Sequence, residues 1–371
     1  MRIGTDFNID TAFYDNDSMW FVERRTNVLY QANYAENTIV YHAVIPYSGE
    51  DSYRVHPNCV KHHDYIICLP DQGKSIVIYD ILNNSIFEIN IEVPKGIRIA
   101  ILNYWIVEDR LWCVSSGMSC IIELNLSTLS IDNYYSIFDD NCSRSGPDAE
   151  LADGFIICPS YTSNIVSFFD IENKTIKRFD VKSAEKGYNT VSGYDNKIIL
   201  SGFDKKIYVC NTRDYKIEVI NLNDLLSIYD SDGQEIVGLG SSPVFKKSFL
   251  FKDKVAFLPW YMPDTIADSI IVYDIEKNKA KAINIIESIR YRDNYNELRY
   301  LYFLRLVNDR VIETYCDYED IKHIDIEKGE ISNHPICFER AIYKDAYKMK
   351  TNTYIESYKN DIDEFLKMFL F

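Results

Sequence analysis

Glycine and proline are scarce in this chain, at 14 and 10 of its 371 residues. With so few breakers, no low-complexity linker divides it. Positive charge is also in short supply. Forty Lys and Arg against 56 Asp and Glu leave a net charge of −16 and a pI near 4.9. Such a chain repels nucleic-acid backbone and anionic membrane wherever no local basic patch reverses the field, so neither is expected as a partner. Long apolar runs are missing too. The longest are strand-sized, too short to span a bilayer, and residues 1–7 lack the apolar core of a signal peptide. Nine cysteines are an odd number, scattered without tight clusters, which reads as free thiols in a reducing, cytoplasmic compartment. There is no glycine-rich phosphate loop and no Gly-x-Ser-x-Gly elbow. No cofactor is expected. Carboxylates are so abundant that sequence pairs of them carry no information.

What is present is a repeat. An apolar run ends in Asp or Asn, a polar turn follows, and a second, alternating strand completes the phrase. One copy runs from Ile76 to Asp80 and on through Ile91; another runs from Ile270 to Asp274 and on to Ile285. Seven copies align on Asn33, Asp80, Asn125, Asp170, Asn211, Asp274 and Asp325. A period of roughly 45 residues means stacked copies of one supersecondary unit. The repeat overrides the two or three domains that length alone suggests. Asp and Asn suit the marker position because their side chains bond nearby backbone groups and start a turn. Upstream of each marker lie two more runs rich in β-branched and aromatic residues, such as Tyr65–Leu69 and Lys206–Cys210. Each unit therefore reads as a four-stranded meander.

Seven such meanders resemble a β-propeller, with kelch-like and WD-type repeat proteins as the nearest classes. The expected fold is all-β: a seven-bladed propeller of four-stranded antiparallel blades over residues 1–352. No paired-glycine kelch signature, Trp-Asp blade ending or sialidase-type box is found, so the resemblance implies architecture and no particular activity. The tail differs. Thr353 and Glu356 have capping-box spacing, and Ile355, Tyr358, Ile362, Phe365, Leu366 and Phe369 follow a 3.6 period. Residues 353–371 are expected to form an amphipathic helix that docks on the propeller or serves self-association.

Several constellations are better explained by structure than by chemistry. Cys68, Cys113 and Cys158 lie 45 residues apart, like the markers, so they occupy one strand position in three blades as small buried residues, and no metal site is expected. Adjacent strand residues point to opposite faces, so His62 and His63 are not expected to serve one site. Residues 230–234 suggest a calcium loop but lack its terminal glutamate.

Arginine gives the one pattern to pursue. In a propeller, loops from the outermost strand to the next innermost strand share a face with loops between the second and third strands. Those loops hold Arg24, Arg25, Arg54, Arg98, Arg144, Arg290 and Arg292, with Tyr161, Tyr188, Trp260 and Tyr261 among them. Arginines gathered from several blades suit an anionic ligand, and aromatic neighbours suit a sugar ring or a protein hot spot. The bland alternative is that they neutralise nearby carboxylates such as Asp148. The expected function is a non-catalytic binding or scaffold module for a protein or an acidic carbohydrate. The alternative is a carbohydrate-active lyase or hydrolase at the mouth of the central channel, with His62, His63, Tyr188 and Arg144 as weak candidates.

Overall fold

The computed structural model describes residues 2–4, 9, 11–23, 27–33, 36, 38–46, 55–139, 143–181, 186–214, 216–229, 235, 243–259, 261–262, 265–285, 301–308, 310–316, 320–335 and 337–339. Arg24, Arg25, Arg54, Trp260, Arg290, Arg292, the side chain of Tyr261, residues 230–234 and the tail 353–371 lie outside them.

Seven antiparallel sheets of four strands follow one another along the chain. Their innermost strands are Phe13–Asp15, Asn58–His62, Ile101–Val107, Glu150–Ala152, Tyr188–Tyr194, Phe245–Phe251 and Leu301–Asn308, in blades 1 to 7. In blades 1 to 6 the inner hairpin turn opens on a residue with φ between 49° and 54°: Asn16, His63, Glu108, Asp153, Asp195 and Lys252. Asn and Asp tolerate that left-handed conformation best among residues with a Cβ, and they fill three of these six positions.

The markers fall where the spacing requires. Each is the last residue of its blade's third strand, from Val28–Asn33 in blade 1 to Asp320–Asp325 in blade 7. In all seven the side-chain oxygen accepts backbone N–H bonds from the turn that follows, at 2.8 to 3.4 Å. Asn125→Ala removes the one oxygen that accepts both turn bonds and should cost about 1 kcal/mol, whereas Asn125→Asp should be near neutral. Urea unfolding of the two variants checks this.

Burial sorts the strands by depth. Second and third strands are almost wholly buried, while the outermost strands Ser85–Asn90 and Thr175–Asp180 alternate between half-buried and exposed. Cys68, Cys113 and Cys158 are each the fourth residue of a second strand and have at most 1% exposure. Burial pushes their thiols well up, so they are inert packing groups. Between successive blades lies a separate apolar core. Trp20, Val22 and Leu29 of blade 1 pack on Ile66, Cys68 and Val77 of blade 2. The last junction closes the ring: Ile321 of blade 7 packs with Met19, Phe21 and Val28 of blade 1, and the Tyr14 hydroxyl donates to Glu313. Strand Arg2–Gly4 pairs antiparallel with Cys337–Glu339. The fold is a seven-bladed β-propeller. No helix among the described residues is long and apolar enough to cross a membrane.

Two faces result, distinguished by their hydrogen bonds. On one, the residue after each of the markers of blades 2 to 7 donates to the inner hairpin turn, as in Ile81 to Asp64, Leu126 to Asp109 and Ile171 to Gly154. On the other, blade-joining loops bond to second-to-third-strand loops, as in Ala100 to Asp71 and Tyr161 to Arg144. The 63-residue interval before Asp274 is explained by two additions on this loop face. Ile228–Tyr229 pairs with Thr265–Ala267, which also pairs with Tyr261–Met262, making a small extra sheet.

Candidate functional sites on the loop face and the axis

Four of the expected loop-face residues have described side chains. Arg98, about half exposed, makes a bidentate pair with the fully buried Asp71, donating from Nε to Oδ1 at 2.8 Å and from its terminal nitrogen to Oδ2. Its charge is therefore already offset, the bland reading of this residue. Tyr188 corrects an expectation. It has 0% exposure, its hydroxyl donates to the Val181 carbonyl at 2.7 Å, and its ring packs edge-on against Tyr208. Tyr188 begins the innermost strand of blade 5 and faces the junction with blade 4, so it is a core residue.

Arg144 and Tyr161 come together on adjacent loops. The Tyr161 amide donates to the Arg144 carbonyl at 2.7 Å, and the Arg144 amide donates to Thr162 Oγ1 at 2.9 Å. The Arg144 side chain is exposed. Phe203, which sequence reasoning missed, stands edge-on to Tyr161 at a centroid distance of 4.8 Å. Lys186, also exposed, holds its Nζ 5.5 Å above the Phe203 ring. One cation thus sits over the Phe203 ring, a second is exposed on the loop bonded to Tyr161, and both share adjoining loops of blades 4 and 5 with the two half-buried rings. Gly187 is needed beneath them, because a Cβ there would collide with the carbonyls of Ser160 and Tyr161.

The histidine pair lies on the opposite face. His62 ends an innermost strand and His63 is in the turn with φ 53°, so strand alternation does not hold between them. Their rings approach to 4.2 Å, which contradicts the expected divergence. Burial and the neighbouring His63 lower the proton affinity of His62.

A second site lies on the axis and was not foreseen. Five residues before each left-handed turn residue stand Thr11, Asn58, Asn103, Asp148, Thr190 and Lys247, polar in each of blades 1 to 6. The sequence signal was this register of polar residues across the innermost strands, visible only once the inner turns are placed. They bind successive blades around the ring. Thr11 Oγ1 donates to Asn58 Oδ1 at 2.8 Å, Asn58 Nδ2 to the Ile101 carbonyl at 2.6 Å, and Asn103 Nδ2 to the Pro147 carbonyl at 2.8 Å. Lys247 goes further. Its Nζ donates to Asn103 Oδ1 at 3.0 Å, from blade 6 to blade 3, and lies 3.8 Å from Asp148 Oδ1. A bond between blades that are not neighbours crosses the middle of the ring.

Asp148 has 1% exposure, and its Oδ2 accepts from the amides of Ser248 and Val191 and from the Ser248 hydroxyl at 3.0 to 3.3 Å. Burial raises its proton affinity to a pKa of about 6, against the opposing pull of Lys247 and the Ser248 and Val191 bonds. Glu150, half-buried, is raised further, to about 8, by burial first and then by the Asp148 charge. Two carboxyl groups separated in this way are the pattern of an acid–base or ion-binding site.

No protein-family model matches the chain, and no curated protein sequence matches it. Solved structures do match. A streptogramin B lyase aligns over 90% of this chain and 97% of its own, at 10% identity and a TM-score of 0.59. A chain of a mitotic checkpoint complex aligns over 86% and 89%, at 9% identity and a TM-score of 0.54. The computationally designed Ika8 protein aligns over 89% and 88%, at 11% identity and a TM-score of 0.52. At these identities the likeness is one of fold alone.

Proposed function

We propose that this propeller is a non-catalytic binding module that takes an anionic partner, a protein segment or an acidic carbohydrate, on the loop face of blades 4 and 5. The observation that carries the reading is the exposed Lys186 over Phe203, whose ring stands edge-on to Tyr161, with the exposed Arg144 on the loop hydrogen-bonded to Tyr161. In a chain of net charge −16, two uncovered cations beside aromatic surface form a local reversal of the field that an anionic partner would seek. The rings add apolar contact and the guanidinium adds a planar fork for carboxylate. The sequence expectation for Arg24, Arg25, Arg54, Arg290 and Arg292, with Trp260 and Tyr261, would extend the same reading to the other blades, whereas Arg98 is spent on Asp71.

Biolayer interferometry against immobilised polyglutamate and polygalacturonate tests it. Binding to one of these is expected to weaken as salt rises. The Arg144→Glu/Lys186→Glu double variant is expected to lose at least about tenfold in affinity, the scale of two rim charges reversed. Binding that ignores both salt and the double variant would sink the proposal.

A carbohydrate-active enzyme at the channel mouth is the second reading, favoured by the different proton affinities of Asp148 and Glu150. Hydrolysis requires two reachable carboxyl groups. Asp148 is enclosed by its own hydrogen bonds, which weighs against this reading.

A further inference from the structure

The residue just before each turn-opening Asp or Asn holds a constant place in the fold. It is Ala32, Tyr79, Leu124, Phe169, Cys210, Tyr273 and Ile324 in blades 1 to 7, and each is buried in the core between its own blade and the one before. In blades 2 and 4 its ring reaches the outermost strand of the preceding blade. Tyr79 meets His42 at a centroid distance of 5.9 Å, and Phe169 meets Tyr135 at 4.8 Å. In blade 5 the position holds the much smaller Cys210, so no ring fills the space. The facing wall is kept: Phe179 is paired within blade 4 as Tyr135 is within blade 3, opposite the second residue of the third strand. A cavity of about 220 Å³ lies there, with Phe168 and Phe179 of blade 4 and Ile198, Cys210, Thr212 and Ile217 of blade 5 among its lining residues.

We propose that this cavity binds a small, neutral aromatic molecule whose ring takes the place of the side chain missing at position 210, with an N–H or O–H group directed to Thr212. Size sets the first condition. An apolar cavity of about 150 Å³ is enough for benzene, so this one has room for a single or a fused double ring. A molecule of that size fits whole, whereas a chain segment would place only one side chain in the space. Chemistry sets the second. Phe168 and Phe179 stand edge-on to each other at 5.0 Å, and a guest ring beside them gains aromatic contact. Cys210 adds a small hydrophobe to the wall.

The polar groups select within that class. Thr212 Oγ1 donates to the Asn196 carbonyl at 3.1 Å, which leaves its oxygen lone pairs to accept from a guest. Arg178 also borders the cavity, but its guanidinium is committed to blade 3. Its Nε donates to the Ile137 carbonyl at 2.9 Å and a terminal nitrogen pairs with Asp139 at 2.6 Å. Asp180 on the same border is exposed and would repel an acid. A carboxylate guest therefore finds no cation to hold it among the lining residues, and burial of apolar surface supplies the affinity. None of Arg144, Tyr161, Lys186 and Phe203 lines the cavity, so this site goes beyond the loop-face reading and does not depend on it.

Isothermal titration calorimetry and thermal unfolding of the full chain with phenol and indole test the proposal, with benzoate as the charged control. Saturable binding of at least one neutral probe is expected, with a dissociation constant of about 0.1–1 mM for so few atoms. The unfolding midpoint should rise with that probe and stay put with benzoate. Cys210→Phe supplies the ring that blade 4 carries at this position. It should abolish binding and leave the ligand-free midpoint at or above that of wild type. Ile217→Trp should close the same space from the start of the outermost strand of blade 5 and also abolish binding. Absence of binding by both neutral probes, binding that either variant leaves undiminished, or benzoate bound as tightly as phenol overturns the proposal. So does a Cys210→Phe protein that unfolds well below wild type, because the space would then be too small for a ring.

Discussion

Glu150→Gln should make the protein more stable at pH 8 and leave it unchanged at pH 4. In the unfolded chain Glu150 releases its proton near the ordinary 4.5, whereas in the folded protein it does so at about 8. A carboxyl raised in this way favours folding fully only below 4.5. Between 4.5 and 8 the folded state holds a proton that the unfolded state has released, so stability falls as pH rises through that window. Above 8 the loss is complete. Glutamine has no proton to lose, so the variant escapes the whole slope. The gain expected at pH 8 is about 2–4 kcal/mol, a large share of the stability of most domains. Asp148, raised to about 6 by its own burial, contributes a second slope of the same sign at lower pH, which both proteins retain. Urea midpoints of wild type and variant at pH 4, 6 and 8 measure the difference. Parallel curves across the three values would show that Glu150 ionises as freely in the fold as outside it.

Gly117→Ala should be among the most damaging single-methyl substitutions on the loop face. Gly117 lies in the second-to-third-strand loop of blade 3, and its amide donates to the Ile99 carbonyl at 3.3 Å. A Cβ at this position would overlap the Arg98 carbonyl oxygen and stand 3.2 Å from the Ile99 oxygen. Both obstacles are backbone, so no side-chain rotation relieves them. The loop must shift, taking with it the Ser116 to Ala100 bond and the Arg98 pair with Asp71. A loss of about 2–3 kcal/mol is expected from this overpacking. Gly96 is the control. Nothing lies within 4 Å of a Cβ there, but its φ is 81°, so alanine should cost only the left-handed strain of about 1 kcal/mol. Equal destabilisation by the two substitutions would refute the steric argument.

Local chemistry explains how much of this was legible in the sequence. The marker residues could be read because an Asp or Asn at a strand end does its work through its own next turn, a purely local interaction. Cys68, Cys113 and Cys158 could be read for a related reason: equal spacing in a repeat maps directly to equal burial. Tyr188 could not. Its neighbours in sequence resemble a loop, but a register shift between Tyr188 and Thr190 turns its ring into the blade junction. His63 breaks the alternation because the strand ends at His62 and the next residue has already entered the left-handed turn. The axial cluster stayed hidden for the most physical reason. Asn103, Asp148 and Lys247 meet only when three blades close around a common axis, and no periodicity reports which polar residues will meet across a gap. Arg98 shows the converse limit, since its charge was legible and its partner Asp71 was not.

The small sheet formed by Ile228–Tyr229, Tyr261–Met262 and Thr265–Ala267 gives an otherwise rotationally repetitive rim a landmark. It is stitched across the boundary of blades 5 and 6, where Asp268 and Ser227 exchange bonds at 3.0 and 3.2 Å. Arg144, Tyr161, Phe203 and Lys186 lie on the adjoining loops of blades 4 and 5. A wheel of similar spokes thereby acquires a fixed reference point, against which the sector of those four residues is told from the rest.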